Sequence, residues 1–153
     1  MTKHYRTSKE TGFQTSEIIE KVESKETIEI LVDNTKTFQK IIGFGGAFTE
    51  SSAYTLSKMD PLKRQEVLEA YFDKNKGLNY NIGRVHIHSC DFSLENFTYV
   101  EDFDKDLKTF SIKRDFKWVI PMIKDAEKIA GHKIELLASP WSPPAWMKSN
   151  NDM

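Results

Sequence analysis

A single cysteine, Cys90, among 153 residues excludes an internal disulfide, so the chain tolerates a reducing compartment without requiring one. Neither sign of charge is in excess. With 22 basic against 23 acidic residues and a formal net charge of -1, the chain lacks the electrostatic footprint of a nucleic-acid or anionic-membrane binder. No stretch approaches the roughly 18 apolar residues of a membrane span. The opening Met1-Thr2-Lys3-His4-Tyr5-Arg6-Thr7-Ser8-Lys9-Glu10 has no apolar run of the roughly 7–15 residues that a secretory signal needs, an observation that favours a cytoplasmic protein. Internal repeats, low-complexity tracts and a G-x-S-x-G nucleophile pattern are also missing. What remains, 39% hydrophobic and 12% aromatic residues, suits a globular chain rather than a disordered one.

The most informative stretch is Leu136-Leu137-Ala138-Ser139-Pro140-Trp141-Ser142-Pro143-Pro144-Ala145-Trp146-Met147-Lys148, where an apolar strand opens into a proline-rich loop carrying two indoles. Sugar rings have apolar C–H faces that stack on Trp, and prolines hold such a loop before a ligand arrives. The competing reading is that both indoles seal a core. Two other segments share the design of a strand emptying into a polar or glycine-rich turn: Ile41 to Glu50, through Gly43-Phe44-Gly45-Gly46, and Asn81 to Ser93.

Periodicity places these segments in an alternating pattern. Residues 1 to about 25 are polar and weakly patterned, and Glu17 to Val22 is too short to assign. Thr27 to Val32 alternates as a half-buried strand, followed by turn chemistry at Asp33-Asn34-Thr35-Lys36. A first strand is expected near Ile41 to Phe48, with Thr49 capping the next helix. Asp60-Pro61 starts a further helix with Val67, Leu68, Tyr71 and Phe72 on one face, ended by Gly77. A second strand runs from about Leu78 to His88. Ser111 caps a long helix over Ile112 to Ala130, kinked or split by Pro121 and closed by Gly131, and Ile134 to Ala138 is the third strand. Strand and helix in alternation predict an α/β fold with a parallel sheet, whose active sites lie at the strand C-termini.

Other chemistries fit poorly. Gly43-Phe44-Gly45-Gly46 lacks the third glycine of a dinucleotide fingerprint, since that position is Phe48, and a tight turn with close backbone approach is the favoured reading. His86, His88 and Cys90 would share one face of a regular strand and could gather zinc, yet barrel geometry alone produces this spacing. No metal and no cofactor are expected.

The order GFGGAFTESSA, YNIGRVHIHSCDFS with FTYVEDFD close behind, then LLASPWSPPAWMK resembles the catalytic domain of glycoside hydrolase family 30, the group of glucosylceramidases and related bacterial β-glycosidases. The resemblance covers roughly residues 38 to 150. It implies a partial (β/α)8 TIM barrel over residues 38–153, its first three strands, preceded in residues 1–37 by an extension and a strand of an accessory β-sandwich. Because such a barrel typically needs about 250 residues, the 153-residue chain reads as the N-terminal piece of a larger enzyme. The resemblance further implies retaining hydrolysis of a β-glycoside such as glucosylceramide by two glutamates, at the ends of the fourth and seventh strands. Neither strand is expected here, so no catalytic residue is assigned. Asp91 matches the aspartate that binds the glycone, and Trp141 matches the indole that contacts the sugar, whereas Trp146 is expected to pack under the loop. Asp91 also reads as a simple turn cap. Arg84 either orders a catalytic carboxylate or makes a structural salt bridge. In an ideal strand Arg84 and Asp91 face opposite sides, so Asp91 must lie in the turn, or a bulge must intervene. A β-xylanase or β-1,6-glucanase of the same family, and an inactive product or sugar-binding module, are the alternatives.

Overall fold

The structure, a computed structural model, describes residues 2–10, 12–18 and 31–153. The chain divides into two compact units, Met1–Lys40 and Ile41–Met153. In the first, strands β1 (Thr2–Ser8) and β2 (Gly12–Ile18) pair antiparallel from Thr2↔Ile18 to Ser8↔Gly12. The weak patterning of this region concealed a hairpin, whose readable signal is Gly12 at φ 63, a left-handed residue where the return strand begins. Most of the strand expected at Thr27 to Val32 lies outside the described residues. The turn after it forms as anticipated: Lys36 N–H donates to the Asp33 carbonyl at 3.3 Å, and Thr35 N–H donates to the Asp33 carboxylate at 3.0 Å.

The second unit runs β3 (Gly45–Ala47), α1 (Glu50–Lys58), α2 (Pro61–Phe72), β4 (Ile82–Ile87), a 3-10 turn (Lys113–Phe116), α3 (Val119–Ala130), β5 (Glu135–Pro140) and a second 3-10 turn (Ala145–Met147). The three strands form a parallel sheet in the order β3-β4-β5, with Ala47 beside Arg84 and His86 beside Ser139. Helices α1 and α2 start where side-chain oxygens meet the free first-turn N–H groups. Thr49 accepts from Ser52 N–H at 3.1 Å, and Asp60 accepts from Leu62 and Lys63 N–H at 3.0 and 3.3 Å, with Pro61 inside the first turn.

Three boundaries differ from expectation. Helix α2 ends at Phe72, ahead of Gly77, because the Asp73 carboxylate takes the N–H groups of Asn75 and Lys76 at 2.7 and 2.8 Å and turns the chain away. Strand β4 starts at Ile82 rather than Leu78, since Leu78 and Tyr80 donate to the carbonyls of Ala70 and Tyr71 at the end of α2. The Asn81 side chain extends the ladder instead, accepting from Phe44 N–H and donating to the Ile42 carbonyl, both at 3.1 Å. Strand β3 is correspondingly short, and Ile41 and Ile42 stand exposed outside it. The long helix splits as the proline required. Pro121 occupies the first turn of α3, where its missing N–H has no helical partner to lose, and α3 closes at Gly131 with φ 75.

One face of the sheet packs on the helices. Phe48, Ala53, Leu56, Leu68, Phe72, Met122, Ile123 and Ala126 form a continuous core, with Val85 against it. Phe48 lies so close to β4 that a Cβ on Gly83 would sit 2.3 Å from its ring, and the ring cannot retreat because it stacks on Phe72 at 5.6 Å. Gly83→Ala is therefore expected to cost about 1–3 kcal/mol, the typical penalty of overpacking. Urea denaturation of the complete protein checks this, and an unchanged midpoint would show that the Phe48 contact is loose.

Candidate functional site

The opposite face of the sheet carries Arg84, His86 and Ser139, because side chains alternate along a strand. Arg84 Nη2 donates to Ser139 Oγ at 3.2 Å, and its guanidinium carbon lies 4.9 Å from the Trp141 ring centroid. A planar cation over an indole is an attractive arrangement that also limits the tilt of the ring. Trp141 is anchored a second way, its backbone N–H donating to the carbonyl of Ile87 at 3.4 Å, and it keeps 45% of its surface exposed. Among the described residues no carboxylate pairs with Arg84, and its side-chain contacts are Ser139 and Trp141. It braces Trp141.

Trp146 is placed differently. It is half-buried in the 3-10 turn Ala145–Met147, with its ring 5.8 Å from Phe103. Its indole N–H is buried without an acceptor among the described residues. Pro144 beside it is fully buried, and Lys148 Nζ donates to Ser142 Oγ at 3.0 Å, so the loop between the two indoles is tied down.

Asp91 sits in the turn beyond β4. Strand geometry stops at Ile87, and His88 takes φ 63, so the alternation that set Asp91 against Arg84 no longer applies. The same break removes the shared strand face supposed for His86, His88 and Cys90. Among the described residues, no three His, Cys, Asp or Glu side chains come together as a metal site. Asp91 is exposed, and no hydrogen bond or ion pair among the described residues engages its carboxylate. It does not cap its own turn. That work falls to Ser93, whose Oγ accepts from Cys90 N–H at 3.0 Å while its own N–H donates to the Cys90 carbonyl at 2.9 Å.

Three residues of this region were not singled out by their spacing. The turn rests on Glu50 and Ser51 at the start of α1, and on Arg114, which pairs with Glu50 across 64 positions of sequence. His88, read above only for its strand face, supports the region in another way. Its Nδ1 accepts from Tyr99 N–H at 3.0 Å, which requires a neutral ring there, and burial holds its pKa below the ordinary value. The sign follows: the unfolded chain binds a proton that the folded chain resists, so stability is lost as pH falls from about 6.5 toward the lowered folded value. His88→Asn keeps an acceptor and tolerates positive φ without titrating. In the complete protein the melting temperature should fall further from pH 7 to pH 5 for the unmodified sequence than for His88→Asn, and parallel losses would remove His88 as a source.

The chain is similar to known proteins in sequence and in fold. A profile of the glycosyl hydrolase family 30 TIM-barrel domain matches residues 41–153. Putative glucosylceramidase 3 of Caenorhabditis elegans is 44% identical over 88% of this chain and 26% of its own length. Lysosomal acid glucosylceramidase of Mus musculus is 43% identical over 75% of this chain and 22% of its own. Among solved structures, SrfJ from Salmonella typhimurium superposes with a TM-score of 0.68 at 42% identity, covering 75% of this chain and 26% of that one. The endo-β1,6-glucanase BT3312 superposes at 0.67 and 30% identity, covering 76% and 25%. The chain thus spans about a quarter of the length of the relatives it matches, and its three-stranded parallel sheet with flanking helices is part of their barrel. A 113-residue match to one domain profile, and two relatives above 40% identity, place the chain in glycosyl hydrolase family 30.

Proposed function

We propose that this chain supplies one wall of the glycone pocket in a retaining β-glycosidase of the glucosylceramidase type. The observation that carries the reading is the unengaged Asp91 carboxylate at the same sheet end as the braced, half-exposed Trp141. A carboxylate accepts hydrogen bonds from sugar hydroxyls, and an indole receives the apolar face of the ring. Retaining hydrolysis needs an acid and a nucleophile about 5–5.5 Å apart. Glu50 and Glu95 are both committed to Arg114, and Glu135 opens β5 at the end of the sheet remote from the site. The family resemblance places both catalytic glutamates at the ends of the fourth and seventh strands, so the reading assigns bond cleavage to later barrel strands. The glucosylceramidases among its relatives support a glucosylceramide-type substrate, while the likeness to an endo-β1,6-glucanase sustains β-1,6-glucan as the second reading.

The test uses the complete barrel carrying this sequence. It is expected to cleave an aryl β-glucoside and glucosylceramide in preference to β-1,6-glucan and xylan. Preference for β-1,6-glucan would favour the second reading, and failure on every β-glycoside would overturn both. Residues 1–153 alone are expected to be poorly soluble and inactive, because among the described residues no strand pairs with either edge of the three-stranded sheet and Leu136 and Leu137 are exposed. A sharp cooperative melt with turnover by that piece would contradict the assignment of catalysis to later strands.

A further inference from the structure

We propose that Glu50, acting with Ser51 and Arg114, is a positioning residue for Asp91, an inference that rests on the glycone reading above. A carboxylate that touches no other side chain can orient a sugar only if its backbone is held. The turn after β4 has no strand to hold it. It is held by the first turn of α1. The carbonyl of Phe92, directly after Asp91, accepts from Ser51 N–H at 3.0 Å and from Ser51 Oγ at 2.8 Å. Leu94 N–H donates to Glu50 Oε2 at 2.9 Å.

Glu50 is itself fixed. The residue is 3% exposed, and a buried carboxylate is tolerated only when paired and hydrogen-bonded. Arg114 provides this, its Nη2 donating to Oε2 at 3.2 Å while its Nε lies 2.9 Å from Oε1 as an ion-pair contact, so one hydrogen bond and a close opposite charge hold the carboxylate. The guanidinium extends the grip to the far side of the turn, reaching Glu95 at 2.7 Å and lying 4.3 Å from the Phe97 ring centroid. Ser89 N–H, before Asp91, bonds the Phe97 carbonyl at 3.1 Å. Asp91 is thus bracketed on both sides by backbone bonds that lead to the Glu50–Arg114 pair. Gln at position 50 would offer one acceptor in place of two and turn N–H groups toward Arg114, loosening the turn while preserving volume.

The experiment is a double-mutant cycle in the complete enzyme, reading the affinity of a glucose-configured iminosugar for the unmodified protein, Glu50→Gln, Asp91→Asn and the double variant. Glu50→Gln is expected to weaken binding about three- to thirtyfold when Asp91 is present and to have little further effect on Asp91→Asn, as expected for residues in one network. Ser51→Ala, which removes only the hydroxyl bond to Phe92, should act in the same direction more weakly and carries the test if Glu50→Gln fails to fold. Equal losses from Glu50→Gln in both backgrounds, or no loss from either Glu50→Gln or Ser51→Ala, would overturn the positioning role while leaving the glycone reading intact. An Asp91→Asn variant that binds normally would instead overturn the glycone reading, and this inference with it.

Discussion

Asp91→Asn in the complete enzyme is expected to lower kcat/KM on an aryl β-glucoside by about tenfold to over a hundredfold, with the melting temperature unchanged. The magnitude follows from the chemistry of the acceptor. A carboxylate shared by sugar hydroxyls contributes on the order of 1.5–3 kcal/mol through charge-assisted hydrogen bonds, and the amide keeps the shape while losing the charge. If that energy is realised at the transition state, each ~1.4 kcal/mol is a factor of ten in rate. The fold should not notice, because Asp91 is exposed and the turn is closed by Ser93, Ser51 and Glu50. Steady-state kinetics and a thermal melt together decide it, and unchanged kinetics would remove Asp91 from the site.

The two indoles of the proline-rich loop should fail in opposite ways. Trp141→Ala removes a side chain that is nearly half exposed and packs under one guanidinium, so it should weaken a glucose-configured inhibitor and leave melting nearly intact. Trp146→Ala removes a half-buried indole packed on Phe103. Aromatic truncation in a core costs about 3–5 kcal/mol, and a partly covered ring belongs at the lower end of that range. Inhibitor affinity and melting measured on both variants separate the roles. If Trp141→Ala melts early and binds inhibitor normally, the loop is a plug rather than a platform for sugar.

What could be read from sequence was set by local physics. Thr49, Asp60-Pro61 and Gly131 announce helix ends because each acts on N–H groups or backbone angles within a few residues. Pro121 announced the division of its helix for the same reason. Strand limits were read less well, since β4 begins where Asn81 reaches across to Phe44 and Ile42, a contact no periodicity records. Asp91 and Trp141 were proposed through motif resemblance, and the question of strand parity resolved at a single backbone angle, that of His88. The placement of Arg84 over Trp141 was not legible, because that pairing requires knowing the register of β4 and β5. The Glu50–Arg114 pair joins residues far apart in the chain whose proximity only the folded turn creates.

The central claim is that the ends of β4 and β5 hold the sugar, and a structure of the complete enzyme with a glucose-configured inhibitor tests it most directly. The account predicts inhibitor hydroxyls within about 2.6–3.2 Å of the Asp91 carboxylate and a C–H face of the ring against Trp141. An inhibitor seated elsewhere in the barrel, with Asp91 facing water and Trp141 uncovered, would contradict it.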